Sequence, residues 1–315
     1  MLRLIFLITL VVVALGASRP AVAAHRLIVQ GNGKLAIVKA DGQIEWELPW
    51  GGIHDVHVLK NGHIMVQQGP ARVAEIDPAT KQVVWSYDSA KQNGNEGKKI
   101  EVHAFQPLGE GRVMIAESGA ARIIEVDRDG KLLKEIKLKV DHPHPHTDTR
   151  LARKLASGNY LVCHEGDGTV REYDGSGTIV WENEVPLFGR EPKGGHGPES
   201  FGNKCFAAVR LASGNTLIAT GNGHSVLEVT PGKQIVWKVE QRDLPGITLA
   251  WVTTLEVLPN GNYIIGNCHA GPNQPLLIEL DPKTKKVVWQ FDRHATFGND
   301  VSNTQILDAD VTTVR

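Results

Sequence analysis

A short apolar run closed by tryptophan recurs along the chain: Ile44-Glu45-Trp46, Val83-Val84-Trp85, Ile179-Val180-Trp181, Ile235-Val236-Trp237 and Val287-Val288-Trp289. Leu132-Leu133-Lys134 keeps the pattern without the ring. The six copies are spaced by about 49 residues, the length of one four-stranded propeller blade. A repeat of this kind cannot bury its apolar face alone and must stack on its neighbours. The fold is therefore set by the period before any single motif is considered.

The rest of the unit repeats with it. Tight-turn dipeptides precede each complete copy: Asn61-Gly62, Glu110-Gly111, Ser157-Gly158, Ser213-Gly214 and Asn260-Gly261, each with a leucine two residues upstream. Such pairs permit the positive φ angles of two-residue hairpins. A second, Asp-containing turn lies just before most of the tryptophan runs, as at Asp77, Asp127 and Asp281. These signals predict strands A and B around the first turn and C and D around the second, with no helical periodicity. The first unit has strands at 27–30, 35–39 and 44–48 but lacks strand A. Residues 304–307 near the C-terminus supply it. The prediction is an all-β, six-bladed β-propeller over residues 24–315, closed by pairing of its N- and C-terminal strands, which removes two open sheet edges.

The N-terminus reads as a secretory leader over residues 1–23. Arg3 precedes an apolar run from 4 to 15, and Ala21-Val22-Ala23 forms an A-x-A cleavage site. That run is shorter than the roughly 20 residues a spanning helix needs, and no later stretch is apolar enough to cross a membrane. The leader predicts a periplasmic or secreted protein. With 34 Lys and Arg against 35 Asp and Glu, the chain has no basic excess for nucleic acid or an anionic membrane surface. Cys163, Cys205 and Cys268 make no C-x-x-C and exclude a zinc ribbon or thioredoxin motif. One disulfide with a free thiol and three buried thiols both remain open.

Asp77-Pro78-Ala79-Thr80-Lys81-Gln82-Val83-Val84-Trp85 and Asp281-Pro282-Lys283-Thr284-Lys285-Lys286-Val287-Val288-Trp289 resemble the tryptophan-docking repeat of pyrroloquinoline-quinone (PQQ) dehydrogenase propellers. Leu258-Pro259-Asn260-Gly261-Asn262-Tyr263 with its following Val-Val-Trp is also similar to bacterial arylsulfotransferase propellers. The resemblance implies that the tryptophans dock blade to blade. It speaks to fold more than to chemistry. Quinone dehydrogenases of this type have eight blades, and their alcohol and methanol members hold PQQ against adjacent cysteines. Six repeats and three separated cysteines argue against PQQ here. Arylsulfotransferases carry an additional N-terminal domain and transfer sulfate through a funnel histidine, and this chain lacks that domain.

Propeller topology puts turns A–B and C–D on one face and the B–C and inter-blade loops on the other. Every long segment falls on the second face: 89–100, 141–148, 183–204, 241–246 and 293–302. Long loops on a rigid scaffold are where binding usually resides. Most of the 13 histidines fall on or beside that face as well. Counted back from the A–B turns, His54, His103 and Arg150 share one register at the entry of strand A, which lines the channel. With His196, in the glycine-rich loop 194–198, they are the candidate catalytic residues. His142-Pro143-His144-Pro145-His146 is the densest cluster. Alternate histidines in an extended segment point the same way, and imidazole suits a divalent transition metal. His142, His144 and His146 are the candidate metal ligands. His164-Glu165 and Cys268-His269 read as structural pairs, and Asn299-Asp300 as a possible cation holder. The leading expectation is an exported propeller that binds a small-molecule or protein ligand through this face. The alternative is a funnel enzyme, either a metal-dependent one or a sulfotransferase in which Arg150 or Arg153 neutralises sulfate.

Overall fold

Two kinds of turn cut the chain into strands. At A–B, Gly62 and Gly158 take φ values of 85° and 89°, in the left-handed region where a side chain is strained. At C–D, an aspartate folds the backbone onto itself. Asp77 accepts the Ala79 N–H at 2.8 Å and the Thr80 hydroxyl at 3.0 Å. Asp281 does the same with Lys283 at 2.9 Å and Thr284 at 2.7 Å.

The computed structural model describes residues 25–308 and 314–315. The leader read over residues 1–23 lies outside the described residues. The strands form six antiparallel sheets of four, the blades of a β-propeller. Blade 1 is ordered Thr304–Ile306, Leu27–Gly31, Lys34–Val38, Ile44–Pro49, so its inner strand comes from the other end of the chain. The pairing is antiparallel, with Leu27 opposite Ile306 and Val29 opposite Thr304. Blades 2 to 6 begin at inner strands Val56–Val58, Glu101–Gly109, Ala152–Lys154, Ala207–Arg210 and Trp251–Val257. The outermost strands are largely exposed or half-buried, as in Gln82–Asp88 where only Tyr87 is buried, while the strands inside them are largely buried. One short helix, His294–Phe297, is found among the described residues, in the connection back to blade 1. It is far too short to cross a membrane, and no described helix is long and apolar enough to do so.

Two devices recur between neighbouring blades. The indole N–H of Trp46, Trp85, Trp181 and Trp237 donates to the carbonyl of Pro78, Arg128, Pro231 and Pro282, at 2.7–3.1 Å, each in the C–D turn of the following blade. A glutamate on strand C pairs with a base of the next blade: Glu75 with Arg128 and Glu125 with Lys154 at 2.5 Å, Glu172 with Arg210 at 2.7 Å. At the seam the same glutamate position, Glu279 of blade 6, meets His25 of blade 1 at 2.9 Å. His25 also bonds Asp308, just beyond the closing strand, and packs edge-on against Trp289. Burial alone would lower the His25 pKa, but the bonds to Glu279 and Asp308 outweigh it and hold it raised. The three cysteines are buried free thiols.

Candidate functional site

The long connections gather on one face, as the topology requires, and the entries of the inner strands open beneath them. The register that picks out His54, His103 and Arg150 also picks out Phe206 and Thr253 in blades 5 and 6. His54, Arg150, Phe206 and Thr253 line a cavity of about 310 Å³ at this end, joined by His146, His196, Trp251 and His269. Its volume is near the lower end of small-molecule sites. Phe206 and Trp251 are buried, so the walls combine two aromatic surfaces with imidazoles and one guanidinium.

On one wall, His103 sits at a bulge: Val102 and Ala104 pair with Glu117 and Ala116, and His103 is the extra residue. Bulges re-aim side chains, and here the ring turns toward Glu101. His103 Nε2 lies 3.2 Å from Glu101 Oε2, and its Nδ1 lies 2.9 Å from the Thr149 carbonyl. His146 Nδ1 approaches the same Glu101 oxygen at 2.7 Å. The hydrogen bond with His103, and then that with His146, holds the Glu101 carboxyl down at about 2. Burial pushes the buried His103 below the ordinary imidazole value against the pull of Glu101, and Arg150 adds to the lowering. His54 stacks edge-on against His103 at 4.5 Å. Burial, then the charges of His103 and Arg150, push its pKa well below normal, so it is neutral at neutral pH.

The three histidines of the proline-rich loop part company. The segment turns, because the His144 carbonyl accepts the N–H groups of Thr147 and Asp148 at 2.9 Å, and the Asp148 carboxylate accepts the His144 N–H. His142 points to Asp167, with Nδ1 3.3 Å from its carboxylate. The His144 ring accepts the backbone N–H of His146 at 3.1 Å. Only His146 joins Glu101 and His103, whose donor atoms all lie within 4.8 Å of one another.

Across the cavity, His196 lies over Trp251 at 4.8 Å between ring centres and beside His269 at 5.1 Å. His269 Nδ1 is 3.0 Å from Asp300, and its backbone takes a φ of 60°, unusual for a residue with a side chain. Burial lowers the His269 pKa against the pull of Asp300. Asn299 is engaged with backbone, accepting the Gly271 N–H at 2.9 Å. His164 is buried between the Asp148 carbonyl and the Tyr173 hydroxyl, and burial takes its pKa to about 4. It is part of the packing.

The family profile of the outer membrane protein assembly factor BamB, of the PQQ-like repeat type, matches residues 31–291. The chain belongs to that family. No curated protein matches it. Among solved structures, a protein of unknown function from Bacteroides caccae aligns with a TM-score of 0.73 at 25% identity, over 91% of this chain and 100% of that one. A streptogramin B lyase aligns with a TM-score of 0.55 at 11% identity, over 88% and 85%. A catalytically inactive histidine-to-alanine variant of virginiamycin B lyase from Staphylococcus aureus, with quinupristin, aligns with a TM-score of 0.52 at 13% identity, over 87% and 86%. With these lyases the chain shares the fold.

Within this BamB-family propeller the two channel arginines are held differently. Arg153 makes a two-point ion pair with buried Asp55 at 2.8 and 2.9 Å, and Asp55 also accepts the Phe105 N–H at 3.1 Å. Burial alone would raise the Asp55 carboxyl; Arg153 and His57 outweigh it and hold it far below the usual range. Arg150 pairs with Glu165 through Nε, yet its Nη1 has no hydrogen-bond partner although the residue is 5% exposed. Larger cavities of about 600 and 670 Å³ lie among the A–B turns. Arg128, Lys154 and Arg210 on their walls belong to the repeating inter-blade ion pairs. The funnel is where the repeat is broken by chemistry.

Proposed function

We propose that this chain is an exported propeller, processed near Ala23, that binds a small anion bearing an aromatic or apolar part in the funnel. The observation that carries the reading is the unpartnered Nη1 of Arg150 beside a cavity walled by Phe206 and Trp251. A buried donor without an acceptor costs about 1–3 kcal/mol, more for a charged group, and an anionic ligand removes that cost. Planar guanidinium groups favour carboxylate, phosphate and sulfate. The converging groups are concave, which suits a small molecule better than a flat protein surface. Virginiamycin B lyase, a propeller of similar fold, holds quinupristin, and the reading extends small-molecule binding to this chain.

Phenyl phosphate is the test probe. At about one hundred times its dissociation constant it stabilises the folded state by roughly 2.7 kcal/mol. The melting temperature should rise accordingly, and Arg150→Gln should abolish the rise. An unchanged melt, or a full shift in the variant, overturns the reading. Intact mass of the exported protein tests processing at Ala23.

A catalytic reading has one observation in its favour: His54 and Arg150 line the same cavity, as a histidine nucleophile and a sulfate-binding cation must. It predicts release of 4-nitrophenol from 4-nitrophenyl sulfate in the presence of phenol, lost in His54→Ala.

A further inference from the structure

We infer that Glu101, His103 and His146 bind one divalent transition-metal ion at the edge of the funnel, leaving coordination positions open for the anionic ligand. The site rests on the anion-binding reading for its role, and on its own geometry for its existence.

The donors come from two separate segments, the inner strand of blade 3 and the connection into blade 4. Metal bonds of about 2.1 Å at tetrahedral angles place donors roughly 3.4 Å apart. Glu101 Oε2 already lies 2.7 Å from His146 Nδ1 and 3.2 Å from His103 Nε2. The widest separation, no more than 4.8 Å, closes with a small swing of the half-exposed His146 ring. Two imidazoles and one carboxylate are a ligand set of catalytic zinc and of non-haem iron, both of which keep open positions.

The surroundings fit as well. A metal-bound histidine normally donates its other ring N–H to a carbonyl or carboxylate, and the Thr149 carbonyl stands 2.9 Å from His103 Nδ1. In that tautomer Nε2 carries a lone pair aimed at a carboxylate oxygen. A metal ion between these two atoms takes the place of the hydrogen bond that an Nε2–H would make to Glu101. Protons on the two rings can serve the two nitrogen–oxygen contacts at Glu101 Oε2 separately; a metal ion serves all three donors together. The His146 side is held by the loop itself, through Asp148, which accepts the N–H groups of His144 and Gly119. A dication adds to the charges of Arg150, Lys99 and Lys204 against those of Glu101 and Glu165, so the site stays positive toward an anion.

The full protein, stripped with a chelator, is titrated with zinc chloride by calorimetry. One zinc per chain is expected. His146→Ala and Glu101→Gln should each weaken binding by more than about 100-fold, the upper range for an outer-shell partner. His142→Ala should bind as the parent does. Because His146 is half exposed, its variant should keep the parent's circular dichroism and melt, which separates ligand loss from misfolding. Cobalt(II) should give a visible absorption band that zinc displaces. No zinc binding, parent-like affinity in both ligand variants, or loss of binding in His142→Ala overturns the inference. If the phenyl phosphate shift survives in the stripped protein while zinc fails to bind, only the metal site falls. If zinc binds with the ligand dependence above and phenyl phosphate gives no shift, the anion reading falls and the metal site stands.

Discussion

The ring is closed by three residues of the C-terminal strand, and Ile306 is the one whose truncation tests that closure. It is 2% exposed and packs in a cluster with Leu27, Val29, Phe297 and Val301 that joins both ends of the chain. Ile306→Ala removes three carbons, worth about 2.4 kcal/mol at roughly 0.8 kcal/mol per methylene. A residual cavity of roughly 50 Å³ adds about 1.2 kcal/mol. The total, about 3.6 kcal/mol, lies inside the ~2–5 kcal/mol range for such truncations. At ~2.1 cal/mol/K per residue, about 290 residues give an unfolding entropy near 0.6 kcal/mol/K, so the melting temperature should fall by about 6 °C. Thermal unfolding followed by circular dichroism reads this directly. Val84→Ala, on an outer strand at 50% exposure, is the control and should cost well under half as much. If Ile306→Ala melts with the parent, the strand is not what holds the ring shut.

The seam should also be pH-dependent. With its pKa raised above 6.5, His25 contributes stability that is full below 6.5 and fades as pH rises through the elevated folded-state value. Glu279, lowered from 4.5, contributes above 4.5 and loses its effect as pH falls through the lowered value. The urea midpoint lost in His25→Gln should therefore be largest between pH 5 and 6.5 and shrink at higher pH; a pH-independent difference contradicts the clasp. Asp55→Asn leaves Arg153 buried without its counter-ion and should cost about 3–5 kcal/mol in urea unfolding; a parent-like midpoint refutes the importance of that pair. An aromatic disulfide reagent should label none of Cys163, Cys205 and Cys268 in the folded protein and all three after denaturation, since all are buried free thiols.

The architecture was legible because the tryptophan run does the same job in most blades. Its indole needs the carbonyl of the next C–D turn, so ring and turn recur together, and the missing inner strand of blade 1 is visible as a gap. Trp289 faces the seam instead, and its partner His25 shows no repeat signal. In the funnel, the shared register of His54, His103 and Arg150 was readable from turn spacing. The same count reaches Phe206 and Thr253, which were passed over because neither side chain advertises chemistry. Glu101 was missed because a bulge, invisible in the residue pattern, brings His103 beside it. The loop 142–146 misled through alternation: the Asp148 carboxylate folds it into a turn, so His142 and His146 face different partners.

The central claim is that an anion occupies the funnel against Arg150, and a crystal structure with phenyl phosphate bound tests it most directly. The account predicts phosphoryl oxygens within hydrogen-bonding distance of Arg150 Nη1 and the phenyl ring against Phe206 and Trp251. Phenyl phosphate seated in the grooves among the A–B turns, with the Arg150 cavity holding only water, would contradict it.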